Sequence, residues 1–195
     1  AKKVRECINV VFGGVRSLYW RLSARDNLAY FADLYKIPSK DQKELIEELI
    51  AQVGLSEFID KKVETFSKGM KQRLQIARAL LNNPKVIFLD EPSIGLDPVG
   101  AKELRELIKK LSKEGVTILL TTHYMPEAEE LCDRIAIIKK GKLLAIDDVV
   151  GLQSLVSNER KEEIKAKKER EQEEKNKKNL EITLEDIYIE LLGDA

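Results

Sequence analysis

Two adjacent carboxylates, Asp90 and Glu91, follow the apolar run Val86 to Leu89 and precede Pro92. An unbroken apolar run of this length predicts a parallel strand covered on both faces. The C-terminal edge of an open α/β sheet is where ligands bind. There Asp90 is placed to hold Mg²⁺, directly or through water, and Glu91 to polarise an attacking water. An acidic strand end that only caps the next turn is the structural alternative. Thr121-Thr122-His123 follows a second apolar run, Val116 to Leu120, and falls on the same edge. His123 is the single histidine of the chain, and its place beside a strand end makes it a candidate phosphate contact. A third group, Ser67-Lys68-Gly69-Met70, opens a segment of helical periodicity. Ser67 reads as an N-cap, Gly69 lets a ligand approach the backbone, and open N–H groups with the helix dipole favour an anion. Lys68 and Lys71 add positive charge. An ordinary capped helix explains the same residues.

These groups need elements to hold them. Cys7 to Phe12 (CINVVF) is apolar and β-branched, a candidate buried strand ended by Gly13-Gly14. Ser23 and Asp26 have capping-box spacing, and Leu28, Phe31 and Tyr35 give one helix face. A second helix starts near Ser39 to Asp41, with Leu45, Ile46, Leu49, Ile50 and Val53 recurring and Gly54 as the stop. The helix from Ser67 carries Met70, Leu74, Ala77 and Leu81 and ends before Asn83-Pro84. Asp97-Pro98 supplies a cap and a first-turn proline for another, with Leu104, Leu107, Ile108 and Leu111 buried and Gly115 closing it. Strand, helix and strand in that order imply a parallel sheet with a right-handed crossover. Ile135 to Ile138 and Leu143 to Ile146 flank Lys140-Gly141, a hairpin signal.

Composition narrows the classes. The 195 residues carry 34 Lys+Arg against 34 Asp+Glu, so no basic surplus argues for nucleic acid. No run of 18 apolar residues exists, and no basic segment followed by an apolar one opens the sequence as a secretory signal. Cys7 and Cys132 stand far apart, which argues against a disulfide framework or a zinc site and fits a reducing cytosol. Glu159 to Asn179 holds 9 basic and 7 acidic residues, a solvated helix or a flexible linker. Thr183 to Asp186 then has capping-box spacing ahead of Ile187, Leu191 and Leu192.

Ser67 and Asp90 lie 23 residues apart, Asp90 and His123 33 apart, with Gly95-Leu96-Asp97 between. In this order and spacing the chain resembles the ATP-binding subunit of ABC transporters, over roughly residues 4 to 147. FSKGMKQRL (66–74) is similar to the signature sequence, which closes over nucleotide held by a partner subunit; Ser67, Lys68, Gly69 and Met70 would contact that nucleotide. VIFLDEP (86–92) resembles Walker B, which implies Asp90 for Mg²⁺ and Glu91 as catalytic base. SIGLD (93–97) resembles the D-loop, with Asp97 at the dimer partner, and TTH (121–123) the switch, with His123 at the γ-phosphate. SKGMKQRL is further similar to exporter-type ATPases.

Two departures stand out. No G-x-x-x-x-G-K-[ST] occurs in the sequence, so the phosphate-cradling loop is absent from it. In the family that loop lies ahead of the point where this sequence starts, and the chain therefore reads as truncated at the front. INVVFGG (8–14) aligns with the stretch ending in the family's Q-loop glutamine, and Gly14 occupies that place. Tyr19 and Trp20 resemble aromatic positions near the transporter contact; packing in the helical core is the other reading of Trp20.

The resemblance implies an α/β P-loop NTPase (RecA-like) core with a helical signature subdomain, lacking the N-terminal strands and the phosphate-binding loop. Residues 1–157 would form a partial cassette (24–83 helical, 85–147 α/β core), 158–179 a charged helix or linker, and 180–195 a C-terminal helix. It implies ATP and Mg²⁺ as cofactors, membrane-spanning transporter subunits and a second ATPase subunit as partners, and a place at the cytoplasmic face of a membrane. The other functions open are a non-transport ABC ATPase and a non-catalytic chain completing a partner's ATP site. A hydrogen bond to a charged group contributes about 1.5–3 kcal/mol, so these 195 residues alone are expected to bind MgATP weakly and not to turn it over. A missing central strand would also leave apolar sheet surface exposed.

Overall fold

The computed structural model describes residues 7–14 and 17–155. The expected charged helix or linker at 158–179 and C-terminal helix at 180–195 lie outside them. The chain divides into two units, residues 1–127 and 128–195.

Three short runs of apolar and β-branched residues form the sheet of the first unit: β1 (Ile8–Phe12), β2 (Val86–Asp90) and β3 (Thr117–Thr121). All pair in parallel, in the order β1-β2-β3. Val10 is opposite Phe88 and Phe88 opposite Leu119; one turn of the pleat later Phe12, Asp90 and Thr121 line up. The three C-terminal strand ends therefore share one edge, as the sequence predicted for β2 and β3.

Because side chains alternate along a strand, Val11, Ile87 and Leu89 point to one face and are buried. The opposite face differs from expectation. An unbroken apolar run predicted cover on both sides of β2, yet Val86 and Phe88 are half-buried, and Val10, Phe12 and Leu119 are 38%, 58% and 51% exposed. The described residues cover only one side of the sheet. The other is an open apolar hollow of about 430 Å³, lined by Ile8, Val10, Phe88 and Leu119 with Asp90 and Thr121 at its rim.

Among the described residues, four helices of more than ten residues pack in this unit. The first, α1 (Ala24–Leu34), starts where Ser23 Oγ accepts from the Asp26 N–H at 3.0 Å. Its buried Asn27 is fully used: its amide nitrogen donates to the carbonyls of Tyr19 and Ser23, and its oxygen accepts from the Tyr19 N–H. That pins the turn bearing Tyr19 and Trp20. The second, α2 (Ser39–Gln52), has no side-chain cap and stops at Gly54, whose φ of 68° suits glycine. The third, α3 (Lys68–Leu80), buries Leu74, Ile76, Ala77 and Leu80 and packs on β1, α1, α2 and α4. Arg78 on α3 stacks over Phe31 at 4.9 Å. Burial there pulls its guanidinium pKa down, partly offset by Tyr35.

The fourth, α4 (Pro98–Lys113), buries Leu104, Leu107, Ile108 and Leu111, the stripe read from the sequence. Its cap is Asp97, whose Oδ1 accepts from the Gly100 N–H at 2.9 Å. Replacing an acidic N-cap by alanine costs about 1 kcal/mol. Asp97→Ala is thus expected to lower the unfolding free energy from urea titration by that amount and Asp97→Asn to leave it nearly unchanged. A short helix, α5 (Met125–Leu131), follows β3.

In the second unit β4 (Ile135–Lys139) and β5 (Lys142–Asp147) form the expected antiparallel hairpin. Lys140 and Gly141 both have positive φ, 50° and 73°, the geometry that matches the twist of a two-residue hairpin loop. α6 (Val149–Ser154) follows, capped by Asp148.

Candidate functional site

The shared sheet edge brings four side chains together in pairs. Thr121 Oγ1 donates to Asp90 Oδ1 across the β2–β3 ladder. His123 Nδ1 lies 2.7 Å from Glu91 Oε2. An ionised carboxylate can only accept, so Nδ1 carries the proton, and Nε2 is the atom left for another partner. His123 is well exposed and Glu91 about one-third exposed, so the pair is open to a ligand.

The backbone that carries these carboxylates is held from both sides. The Glu91 N–H donates to the Thr121 carbonyl at 2.9 Å, and the Gly13 N–H to the Asp90 carbonyl at 2.6 Å. A side chain on Gly13 would place its Cβ 2.4 Å from the Glu91 carbonyl oxygen and 2.9 Å from Ile94 Cγ2, so only glycine allows this approach. Glu91 itself has φ of 47°, the left-handed region that costs an L-residue about 1–2 kcal/mol. Strain of this kind persists where surrounding bonds over-determine the backbone. Successive turns, Glu91 to Ile94 and Ser93 to Leu96, then lead into Asp97.

A second cluster forms at the start of α3. Ser67 Oγ accepts from the Met70 N–H at 3.1 Å and the Ser67 carbonyl from the Lys71 N–H at 3.0 Å. Among the described residues this leaves the Lys68 and Gly69 N–H groups as the open donors of the helix start. Gly69 sits against Gly100 of α4, with 3.5 Å between the position of an added Cβ and the Gly100 Cα. The Lys68 ammonium lies at the same distance from an added Cβ on Gly95. The signature-like helix start thus abuts the 93–97 turn and the first turn of α4. No hydrogen bond among the described residues joins Ser67, Lys68, Gly69 or Met70 to Asp90, Glu91 or His123. The predicted residues fall into two clusters, not one.

Gly14 has φ of 89°, a conformation that strains any other residue. Its carbonyl accepts from the side-chain amide of Gln75 at 3.2 Å. The sequence reading passed over Gln75 and its neighbour Gln72; both are buried, and a polar residue inside an apolar helical stripe was the signal. It also gave Thr121 no role of its own. Trp20 is 51% exposed with Lys71 Nζ 4.8 Å over its ring, so it does not pack in the core. Tyr19 meets Tyr30 edge-on, and both are exposed.

A strand edge presenting two carboxylates, a threonine and a histidine on a parallel sheet, followed by a capped helix, fits the α/β class expected from the sequence. The comparisons agree on one family within it. The ABC transporter family model matches residues 1–94. The ABC transporter ATP-binding protein NatA of Bacillus subtilis is 39% identical over 83% of this chain and 65% of its own length. The bacitracin transport ATP-binding protein BcrA of Bacillus licheniformis is 48% identical over 67% of this chain and 42% of its own. The structure of cbiO1 from Clostridium perfringens, part of the ABC transporter complex cbiONQ, superposes with a TM-score of 0.72. It is 30% identical and covers 78% of this chain and 61% of its own. These likenesses support an ABC-type ATPase cassette for this chain. It spans about two-thirds of the length of NatA and under half that of BcrA.

Proposed function

We propose that the chain is the signature-bearing and hydrolytic part of the ATP-binding subunit of an ABC transporter, acting as a head-to-tail pair of subunits. The observation that carries this reading is the strand register that sets Asp90 with Thr121 beside Glu91 with His123. A carboxylate and a hydroxyl are oxygen donors, the kind Mg²⁺ prefers. Among the described residues no group of three or more His, Cys, Asp or Glu forms a metal cage. In the proposed site Asp90 would hold the ion through a carboxylate oxygen. When bound, Mg²⁺ would neutralise charge on the phosphates.

The chain's own groups then have distinct tasks. Thr121 fixes the rotamer of Asp90 by its hydrogen bond. Glu91 accepts a proton from the attacking water, and its oxygen geometry is set by His123. His123 meets the terminal phosphate through Nε2, which donates to it in the ring form that carries a proton on both nitrogens. The open N–H groups of Lys68 and Gly69 face the nucleotide of the opposite subunit, which fits their separation from the carboxylates. Asp97 is fixed by capping α4 and stands at the subunit contact. No G-x-x-x-x-G-K-[ST] motif occurs in these 195 residues.

Names of relatives favour transport over other ABC ATPase roles: NatA is a transporter ATP-binding protein and BcrA serves bacitracin transport. No helix among the described residues is long and apolar enough to cross a membrane. On the printed roles of these relatives, membrane-spanning subunits are proposed as partners, met by the exposed Tyr19, Trp20 and Tyr30 at the cytoplasmic face. An identical second chain is the simplest ATPase partner, since most oligomers are symmetric copies.

Gly69→Ala tests the trans contact. The added methyl meets Gly100 and Ser67 at 3.5 and 3.8 Å, ordinary contacts, so the fold has room for it. Alanine is also the better helix former, by about 1 kcal/mol. The expected outcome is an unchanged or raised melting temperature with ATP turnover reduced at least tenfold. Undiminished turnover would remove the helix start from the ATP site.

A further inference from the structure

We infer that Gln75 is a positioning residue that locks α3, and with it the Ser67–Gly69 helix start, to the backbone carrying Asp90 and Glu91. The inference rests on the reading of those two clusters as halves of two ATP sites, each completed by the opposite subunit.

Gln75 lies in the middle of α3 and is fully buried. Its amide nitrogen donates to the Gly14 carbonyl at 3.2 Å, and its amide oxygen accepts from Ser17 Oγ at 2.8 Å. One side chain thus grips the loop leaving β1 at two points, three residues apart. That loop is itself bonded to the hydrolytic strand end, because the Gly13 N–H donates to the Asp90 carbonyl at 2.6 Å. Two hydrogen bonds and two residues, Gly13 and Gly14, connect the Gln75 amide to the backbone of Asp90. The start of α3 touches the same segment a second time, through Gly69 against Gly100 and Lys68 against Gly95. A helix held at one point can pivot; held at two, its tilt relative to the carboxylates is set.

Stability alone does not account for the arrangement. The Gln75 amide nitrogen also donates to Gln72 Oε1 at 3.1 Å. The Gln72 amide nitrogen is buried with no partner among the described residues. An orphaned buried donor is costly, and an apolar residue among Leu74, Ile76 and Ala77 would avoid it. A partly satisfied network is retained where geometry matters more than stability. Gly14, whose positive φ turns its carbonyl to Gln75, completes the grip.

The test uses the polypeptide as the source cell makes it, with its partner subunits. Gln75→Leu removes the amide at similar volume, and Ser17→Ala removes one hydrogen bond from a half-buried site. Steady-state turnover and amide hydrogen exchange over residues 13–17 are measured for each single variant and for the pair. We expect Gln75→Leu to lower kcat about tenfold with KM for ATP within twofold. Ser17→Ala should have a smaller effect in the same direction, and the double variant should be no worse than Gln75→Leu alone. Exchange at Gly13 and Gly14 should speed up in both single variants. Wild-type kcat or unchanged exchange in Ser17→Ala and Gln75→Leu would overturn the inference, and Ser17→Ala decides it alone if Gln75→Leu does not fold. Glu91→Gln run alongside separates the two failures. If it stops turnover while the Gln75 and Ser17 variants do not alter it, only the positioning role fails. If Glu91→Gln turns over normally, the reading of the site itself fails.

Discussion

Glu91→Gln is expected to lower ATP turnover by about 10²–10⁴-fold, the usual contribution of a positioned general base. The amide keeps the size of the side chain and an oxygen for the 2.7 Å contact with His123 Nδ1. It keeps the left-handed backbone at that residue too, because the bonds from Gly13 and to Thr121 are untouched. Stability and nucleotide binding should therefore stay close to wild type while kcat falls. Glu91→Gly gives the complementary signature. Glycine relieves the backbone strain, about 1–2 kcal/mol, so the protein should become more stable as it loses activity. Denaturant midpoints and single-turnover rates on the same samples check both. A Glu91→Gln variant with wild-type kcat would assign the proton transfer elsewhere.

Gly13→Ala has the second largest expected effect, and it acts from a residue with no side chain. The new Cβ would stand 2.4 Å from the Glu91 carbonyl oxygen and 3.0 Å from that of Asp90. Both are backbone atoms that cannot swing aside. Either the 90–91 peptide moves or β1 retreats and the 2.6 Å bond from Gly13 to Asp90 breaks. Overpacking of this kind costs about 1–3 kcal/mol. A catalytic group displaced by about 1 Å loses about 10²-fold in rate. Both losses are therefore expected together. Gly14→Ala separates strain from clash: its φ of 89° is unfavourable to alanine, but no atom lies within 4 Å of the new methyl. It should lower the melting temperature with a smaller loss of turnover than Gly13→Ala. Equal turnover losses in the two variants would contradict this account of Gly13.

Much of the site could be read from the sequence because its residues sit where local patterns end. Asp90 and His123 follow apolar runs, and Ser67 and Asp97 open helices by side-chain caps that the structure retains. Caps and strand ends are local, and local chemistry is visible in a single chain. The pairing of Thr121 with Asp90 was not, since it depends on β3 lying next to β2 in register. The grip of Gln75 on Gly14 and Ser17 joins residues 58 and 61 positions apart. Helical periodicity registers such a residue only as an interruption of the stripe. The backbone of Glu91 was invisible for another reason: glutamate has no preference for positive φ, and the conformation is imposed by Gly13 and Thr121. The second face of β2 shows the limit of pattern reading. An apolar run states that a strand can be covered on both sides; what the described residues cover is one side.

The claim at the centre of this account is that ATP is hydrolysed at a site built from two chains, with Asp90, Glu91 and His123 from one and the Ser67–Gly69 helix start from the other. The most direct measurement mixes two variants of the cell-made polypeptide, Glu91→Gln and Ser67→Arg, and follows phosphate release. Each variant alone should be inactive, one for want of the carboxylate and the other for want of a competent helix start. In mixed pairs one site regains an intact Glu91 opposite an intact Ser67, and turnover should return in proportion to the share of mixed pairs. A mixture as inactive as its components would contradict the two-chain site.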